Sequence, residues 1–235
     1  MKTTIYDEQF FILKSKGVKY KLSFHQDNDS EDPRHWDPPA TMLCWHRNYS
    51  LGDKHTFTDI SNALEHLLID SGKALIEVDA TMDLCVDETK YERDKRVIEE
   101  LKDYACIKFL YLYDHGGIIM SLKDFKDPWD SGIVGIMYMT KQTTLDNFPN
   151  SNEDNWYAIA EQHLEDEVTE YDRWLQGDIY GYCLEKLIQC PHCLHEEEEF
   201  VDSCGGFYGN DLTTNGMLDC LPEEIVTELM EVLNA

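Results

Sequence analysis

The sequence predicts an α+β fold: a mixed or antiparallel sheet packed with several helices, and an acidic helical and hairpin region toward the C-terminus. Two kinds of pattern carry this. Short runs rich in β-branched and aromatic residues, such as IKFLYLY (107–113) and IVGIMYM (133–139), have the length and composition of strands. Other stretches repeat apolar residues at helical spacing, the longest being 152–175, with Trp156, Ala160, Leu164, Val168, Tyr171 and Leu175 on one side. No internal repeat is present, and sheet and helices together form one core.

The elements follow in order. Residues 18–24 alternate as a strand, with Val18, Tyr20, Leu22 and Phe24 on one face. An Asp- and Pro-rich loop (26–39) leads to the apolar run Thr41–His46, a buried strand. Asp59–Ser71 reads as a helix through Ile60, Ala63, Leu64, Leu67 and Leu68, stopped by Gly72. Lys90–Ala105 is a second helix with Tyr91, Val97, Ile98, Leu101 and Tyr104 inward. The two strong strands are separated by the DHGG turn and the PWDSG segment. Residues 142–153 read as a polar linker before the long helix. Strands near 179–188 and 199–208 flank a cysteine-bearing turn, and Pro222 opens a last helix with Ile225, Leu229 and Val232 inward. The expected organisation is a core over 1–141 and an acidic helix–hairpin–helix region over 152–235, packed on that core.

A chain of 235 residues with 42% hydrophobic and 11% aromatic content can bury a proper core, so its net charge of −27 does not imply disorder. No run approaches the roughly 18 apolar residues of a membrane span. The first residues lack the apolar run of a secretory signal, which predicts a cytoplasmic protein. The eight cysteines then read as reduced thiols, several of them small hydrophobes in apolar runs.

The charge is unevenly placed. Residues 151–235 hold 21 acids against Arg173 and Lys186, and residues 1–150 hold 26 acids and 18 bases. Such a field repels nucleic acid, membrane and other anions, which excludes direct nucleic-acid binding. On a helix over 152–175, Asp154, Glu161, Glu165 and Asp172 fall within a wedge of about 40°. Like charges at i,i+4 spacing cost a few tenths of a kcal/mol each, so stability does not explain them. One reading is a solvated face. The other is a carboxylate row that, with Glu196, Glu197, Glu198 and Glu199, imitates DNA phosphates and docks on a basic protein.

Two further groups carry chemistry. Cys190-Pro191-His192-Cys193-Leu194-His195 presents two thiols on a hairpin tip, half of a zinc ribbon, and Cys190, Cys193, His195 and Cys204 are the candidate ligand set for a zinc ion. The alternative is a reduced hairpin. His115 in DHGG, Asp130 in PWDSG and Cys204 in DSCGGFYG are candidate catalytic residues of a metal- or thiol-dependent hydrolase. Their alternative is structural, with aspartates bonding turn N–H groups and glycines supplying special backbone angles. Cys44, His46 and Asp53 form a second cluster that could ligand a metal, the alternative being a satisfied core histidine on a strand. Walker, GxGxxG, HExxH and GxSxG motifs are absent.

Four segments in order, ATMLCWHRNYSLGDKH (40–55), LYLYDHGGIIMS (110–121), PWDSGIVGIMYMTK (128–141) and DSCGGFYG (202–209), resemble a family of uncharacterised proteins encoded by bacteriophages and mobile elements. The resemblance runs from about residue 35 to 210. LKDFKD (122–127) replaces a Ser/Thr-rich stretch, and the CPHC turn is an embellishment. The resemblance implies a bacterial cytoplasm and an accessory phage role, without any catalytic assignment. Together with the charge it gives the first expectation: inhibition of a basic host defence protein, a restriction, CRISPR or similar nuclease complex. The alternatives are a small hydrolase acting on nucleic acid or a nucleotide signal, and an adaptor for a host protein.

Overall fold

The computed structural model describes residues 3–193 and 195–234. Its strands are β1 (Phe10–Ser15), β2 (Val18–Gln26), β3 (Thr41–Cys44), β4 (Ala105–Asp114), β5 (Ile118–Ser121), β6 (Ser131–Thr140), β7 (Ile179–Gln189) and β8 (Glu196–Tyr208). The helices are α1 (Ile60–Asp70), α2 (Leu75–Met82), α3 (Lys90–Glu100), α4 (Lys141–Asn147), α5 (Trp156–Gln176), α6 (Met217–Cys220) and α7 (Glu223–Asn234). The fold is α+β. The strands form two four-stranded sheets whose pairings are all antiparallel.

The chain divides into two units, Pro33–Asp172 on one side and residues 1–32 with 173–235 on the other. The expected break at 142–151 therefore falls inside one unit, and the first strands belong with the last ones. β2 pairs with β7 through Leu22↔Leu184 and Phe24↔Tyr182, in the order β1-β2-β7-β8. Leu13, Leu22, Phe24, Tyr182, Leu184 and Phe207 cover a core with Met217, Leu221, Ile225 and Leu229 from the two terminal helices. Val232, expected inward, is half exposed. A pairing across some 160 residues leaves no mark on local periodicity, which is why the sequence suggested a different grouping.

In this unit the DSCGGFYG segment is a backbone device. The β7–β8 register shifts between Tyr180 and Tyr182, which places Gly205 and Gly206 in a bulge. The Gly206 N–H donates to Asp27 Oδ2 at 2.9 Å, and a Cβ on Gly205 would lie 2.5 Å from the same oxygen. Only glycine fits.

The Pro33–Asp172 unit carries the second sheet, ordered β3-β6-β4-β5. Helices α1, α2 and α3 cover one face, burying Leu64, Leu68, Val78, Val97 and Leu101 against Leu43, Ile107 and Ile136. Asp59 caps α1 by accepting from the Asn62 N–H at 2.9 Å, and Thr89 caps α3 in a capping box with Glu92. The segment expected to be a linker contains α4, capped by Thr140. α5 serves the other face, with Trp156, Ala160, Leu164, Val168 and Tyr171 buried as their spacing predicts. It begins four residues later than expected.

A buried ion network ties α5 to the β3 segment. Arg34 forks onto Asp53 (Nε–Oδ1 2.9 Å, Nη2–Oδ2 2.8 Å) and reaches Glu167 through Nη1 at 2.7 Å. Its Nη2 also donates to the Ala40 carbonyl at 2.6 Å. The carboxylates are satisfied in turn: Asp53 accepts from the Met42 N–H at 2.7 Å, Glu167 from the Ala40 N–H at 3.1 Å. The Tyr171 hydroxyl accepts from the Gly52 N–H at 2.9 Å. Burial pushes the Glu167 carboxyl above its ordinary range against the pull of Arg34.

Candidate functional site

The expected carboxylate row is not a free array. Asp154 lies outside α5, in the preceding turn, where its own N–H bonds Asn152 Oδ1. Glu161 pairs with Lys108, and Glu165 stands 3.6 Å from Lys123. Asp172 accepts from the Met120 N–H at 2.7 Å, holding the edge strand β5. On β8, Glu196 and Glu198 each meet a lysine of β2, Lys19 and Lys21, at 2.9 Å. Glu199 faces Lys186 at 4.0 Å, and Glu197 is exposed opposite Ile188. The bases counted in the first part of the sequence thus return to neutralise the tail. Exposed pairs of this kind stabilise by about 1 kcal/mol or less.

The proposed zinc ligands do not converge. Cys190 and His195 close the hairpin through a backbone bond of 2.8 Å, and hydrogen bonds from the Cys193 and His192 N–H groups hold the Cys190 thiol below its ordinary value. Cys204 pairs with Tyr182, seven residues along β7 from Gln189, about 23 Å at strand rise. It lies beside the Cys220 thiol instead. Among the described residues no group of three or more His, Cys, Asp and Glu side chains is placed to hold a metal.

Of the three catalytic candidates, two meet. His115 Nδ1 lies 3.0 Å from Asp130 Oδ2. Cys204 belongs to the other unit. The pair is built at one end of the β4–β6 ladder, where β4 ends and β6 begins. The Asp114 N–H donates to the Asp130 carbonyl at 2.8 Å, and the His115 N–H to the Gly117 carbonyl at 3.2 Å. Asp127 accepts from the Trp129 and Asp130 N–H groups at 2.9 and 3.0 Å, which holds its carboxyl below the usual range and fixes the PWDSG turn. Nδ1 thus faces the carboxylate, and the imidazole is largely exposed.

Beside this pair opens a polar cleft of about 330 Å³. Three segments far apart in sequence line it: Trp45-His46-Arg47 after β3, Leu112 and Asp114 at the end of β4, and Trp129 to Val134 entering β6. Sheet topology explains the convergence, because β3 and β4 flank β6 and each runs antiparallel to it, so their C-terminal ends meet the start of β6 at one edge. Gly135 permits the close approach: a Cβ there would lie 2.0 Å from the Leu43 carbonyl oxygen. His46 stacks on Tyr49 at 4.8 Å and accepts the Asn48 N–H on Nδ1 at 3.3 Å, leaving its proton on Nε2. Arg47 is exposed and forms no ion pair among the described residues, in a chain where most bases do.

Cys44 does not supply a nucleophile. Burial and the Asp53 carboxylate push its thiol up to about 12, and Arg34 offsets this only in part. Asp53 is engaged by Arg34, so the Cys44–His46–Asp53 cluster is structural. Sequence reading missed Arg47 and the Arg34 network. A signal for Arg47 existed, a base flanked by His46 and Tyr49 with no acid beside it. None existed for Arg34, whose partners lie 19 and 133 residues away.

No protein-family model, curated protein or solved structure matches this chain. No helix among the described residues is long and apolar enough to cross a membrane.

Proposed function

We propose that the Pro33–Asp172 unit is a small hydrolase that cleaves an ester or phosphoester bond in a small anionic molecule. The observation supporting this is the convergence of Trp45–Arg47, Asp114 and Trp129–Ser131 on one cleft, whose Asp130 pairs with His115 at 3.0 Å. His115 Nε2 takes a proton from an attacking water, and Asp130 orients the ring and stabilises the imidazolium that forms. The water oxygen bonds to the acyl or phosphoryl centre, and the proton passes to the leaving oxygen as the old ester bond breaks. Arg47 holds the anionic group. The net charge of −27 opposes a polymeric anion far more than a compact one, which favours a small substrate over nucleic acid.

The test is turnover of a panel containing p-nitrophenyl phosphate, nucleoside monophosphates and carboxylic esters. His115→Ala is expected to lower kcat by roughly 10²- to 10⁴-fold without changing the melting temperature. Asp130→Asn acts in the same direction. Full turnover by both variants, or none by the wild type across the panel, ends the proposal.

A further inference from the structure

We infer that the aromatic hollow adjoining this cleft is a ring-binding subsite, so that the molecule taken by the site is a nucleoside phosphate, with its base in the hollow and its phosphate at Arg47. This rests on the reading of the cleft given above. The hollow, about 370 Å³, is lined by Trp45, Ile60, Tyr91, Phe109 and Ile133 together with Asp59, Lys90 and Asp94. Trp45, Ile133 and Val134 line both spaces, so the two share a wall and form the adjoining halves of the proposed site. Each half falls within the size range of small-molecule sites.

The two halves differ in chemistry. The cleft carries His46, Arg47, Asp114 and Asp130, and the hollow carries three aromatic rings. Those rings are held in place from behind. The Trp45 Nε1–H donates to the Phe57 carbonyl at 2.9 Å, and its ring lies 4.7 Å from that of His55. Tyr91 packs 5.4 Å from Phe109 and its hydroxyl bonds Tyr111. Yet Tyr91 is 42% and Ile133 38% exposed, apolar surface fixed in position and left open. A fixed aromatic slot suits a flat ring, which it can stack at little ordering cost. The Asp59–Lys90 pair, 2.9 Å apart, offers an acceptor and a donor to the polar edge of a heterocycle. A flat polar-edged ring joined to an anion is the composition of a nucleoside phosphate.

Calorimetric titration with adenosine 5′-monophosphate, uridine 5′-monophosphate, ribose 5-phosphate and inorganic phosphate tests this. The nucleoside phosphates are expected to bind about tenfold or more tightly than ribose 5-phosphate, the size of one base–aromatic stack. Tyr91→Ala and Ile133→Ala should each shrink that ratio, and Arg47→Ala should weaken all the phosphates alike. Equal binding of nucleoside phosphates and ribose 5-phosphate, both sensitive to Arg47→Ala, overturns the ring subsite and leaves the hydrolase reading standing. Failure of every phosphate to bind overturns the nucleoside phosphate assignment and the phosphoester branch of the hydrolase reading, leaving the carboxylic esters of the turnover panel to decide the rest.

Discussion

Replacing Arg34 by methionine tests the central packing argument, because it removes the guanidinium that bonds both Asp53 and Glu167, leaving Glu167 only the His163 imidazole 3.4 Å away among the described ionisable partners. The Arg34 side chain is 4% exposed and that of Glu167 9%, so neither carboxylate nor guanidinium is solvated enough to stand alone. Removing one partner of such a pair costs about 3–5 kcal/mol, most of it from the charge left behind. Glu167 supplies most of that here, since Asp53 is 26% exposed and keeps the Met42 N–H. The sign of the pH dependence follows. Burial already raises the Glu167 carboxyl, so between its unfolded and folded values the native state binds more protons and stability falls as pH rises. Without Arg34 the carboxyl rises further and the fall extends to higher pH. Urea unfolding followed by tryptophan fluorescence should show the full deficit near neutral pH and a partial recovery as pH drops through the raised value. Arg34→Met with Glu167→Gln should recover most of it at neutral pH. A deficit below about 1 kcal/mol, or one that does not change with pH, would refute the account.

Other consequences are as direct. Gly135→Ala drives a Cβ to 2.0 Å from a backbone carbonyl that cannot rotate away, and should cost about 3 kcal/mol or more, read as a lower melting temperature by circular dichroism; an unchanged melt contradicts the β3–β6 register. In the native protein, iodoacetamide should label exposed Cys85 and Cys193 well before Cys44 and Cys106, whose buried thiols are pushed up to about 12 and about 11. Mass spectrometry showing Cys44 modified as fast as Cys193 would restore it as a nucleophile. Phosphate-ligand affinity should hold level or rise with added salt, because screening over about 10 Å at 0.1 M removes the repulsion of the distant acids. A steep fall with salt would mean that the overall field attracts the ligand.

Periodicity was a sound guide wherever one element buries one face. The apolar stripe of α5 and the alternation of β2 both appear as spacing requires, because each reports a local partition between core and water. What spacing cannot carry is partner choice. β2 and β7 match in alternation, yet nothing local says that Leu22 sits opposite Leu184. The acidic row fails for a related reason. Its angular alignment was legible, but Lys108, Lys123, Lys19 and Lys21, which answer it, arrive from strands or loops far away in sequence. The His115–Asp130 meeting was half legible: each residue sits in a turn beside a strong strand, and antiparallel pairing of those strands brings the turns together.

The charge distribution and the cleft then bear on each other. A chain with 47 acids could place any base beside an acid at little cost, and most of its lysines and arginines are so placed. Arg47 is among the few that are not, and it lies exposed in the cleft with His46 and the exposed Trp129. An unpaired guanidinium gains nothing for stability, since it forgoes even the small benefit of a surface pair. On the proposed function, Arg47 would meet an anion that brings its own negative charge. The surrounding acids would then act as a filter, excluding polyanions by long-range repulsion while a compact phosphate reaches contact distance with Arg47. The opposite arrangement, a net basic surround, would concentrate nucleic acid at the same groove and occupy it. Acidity elsewhere is, in this view, what keeps a small-anion site open among cellular polyanions.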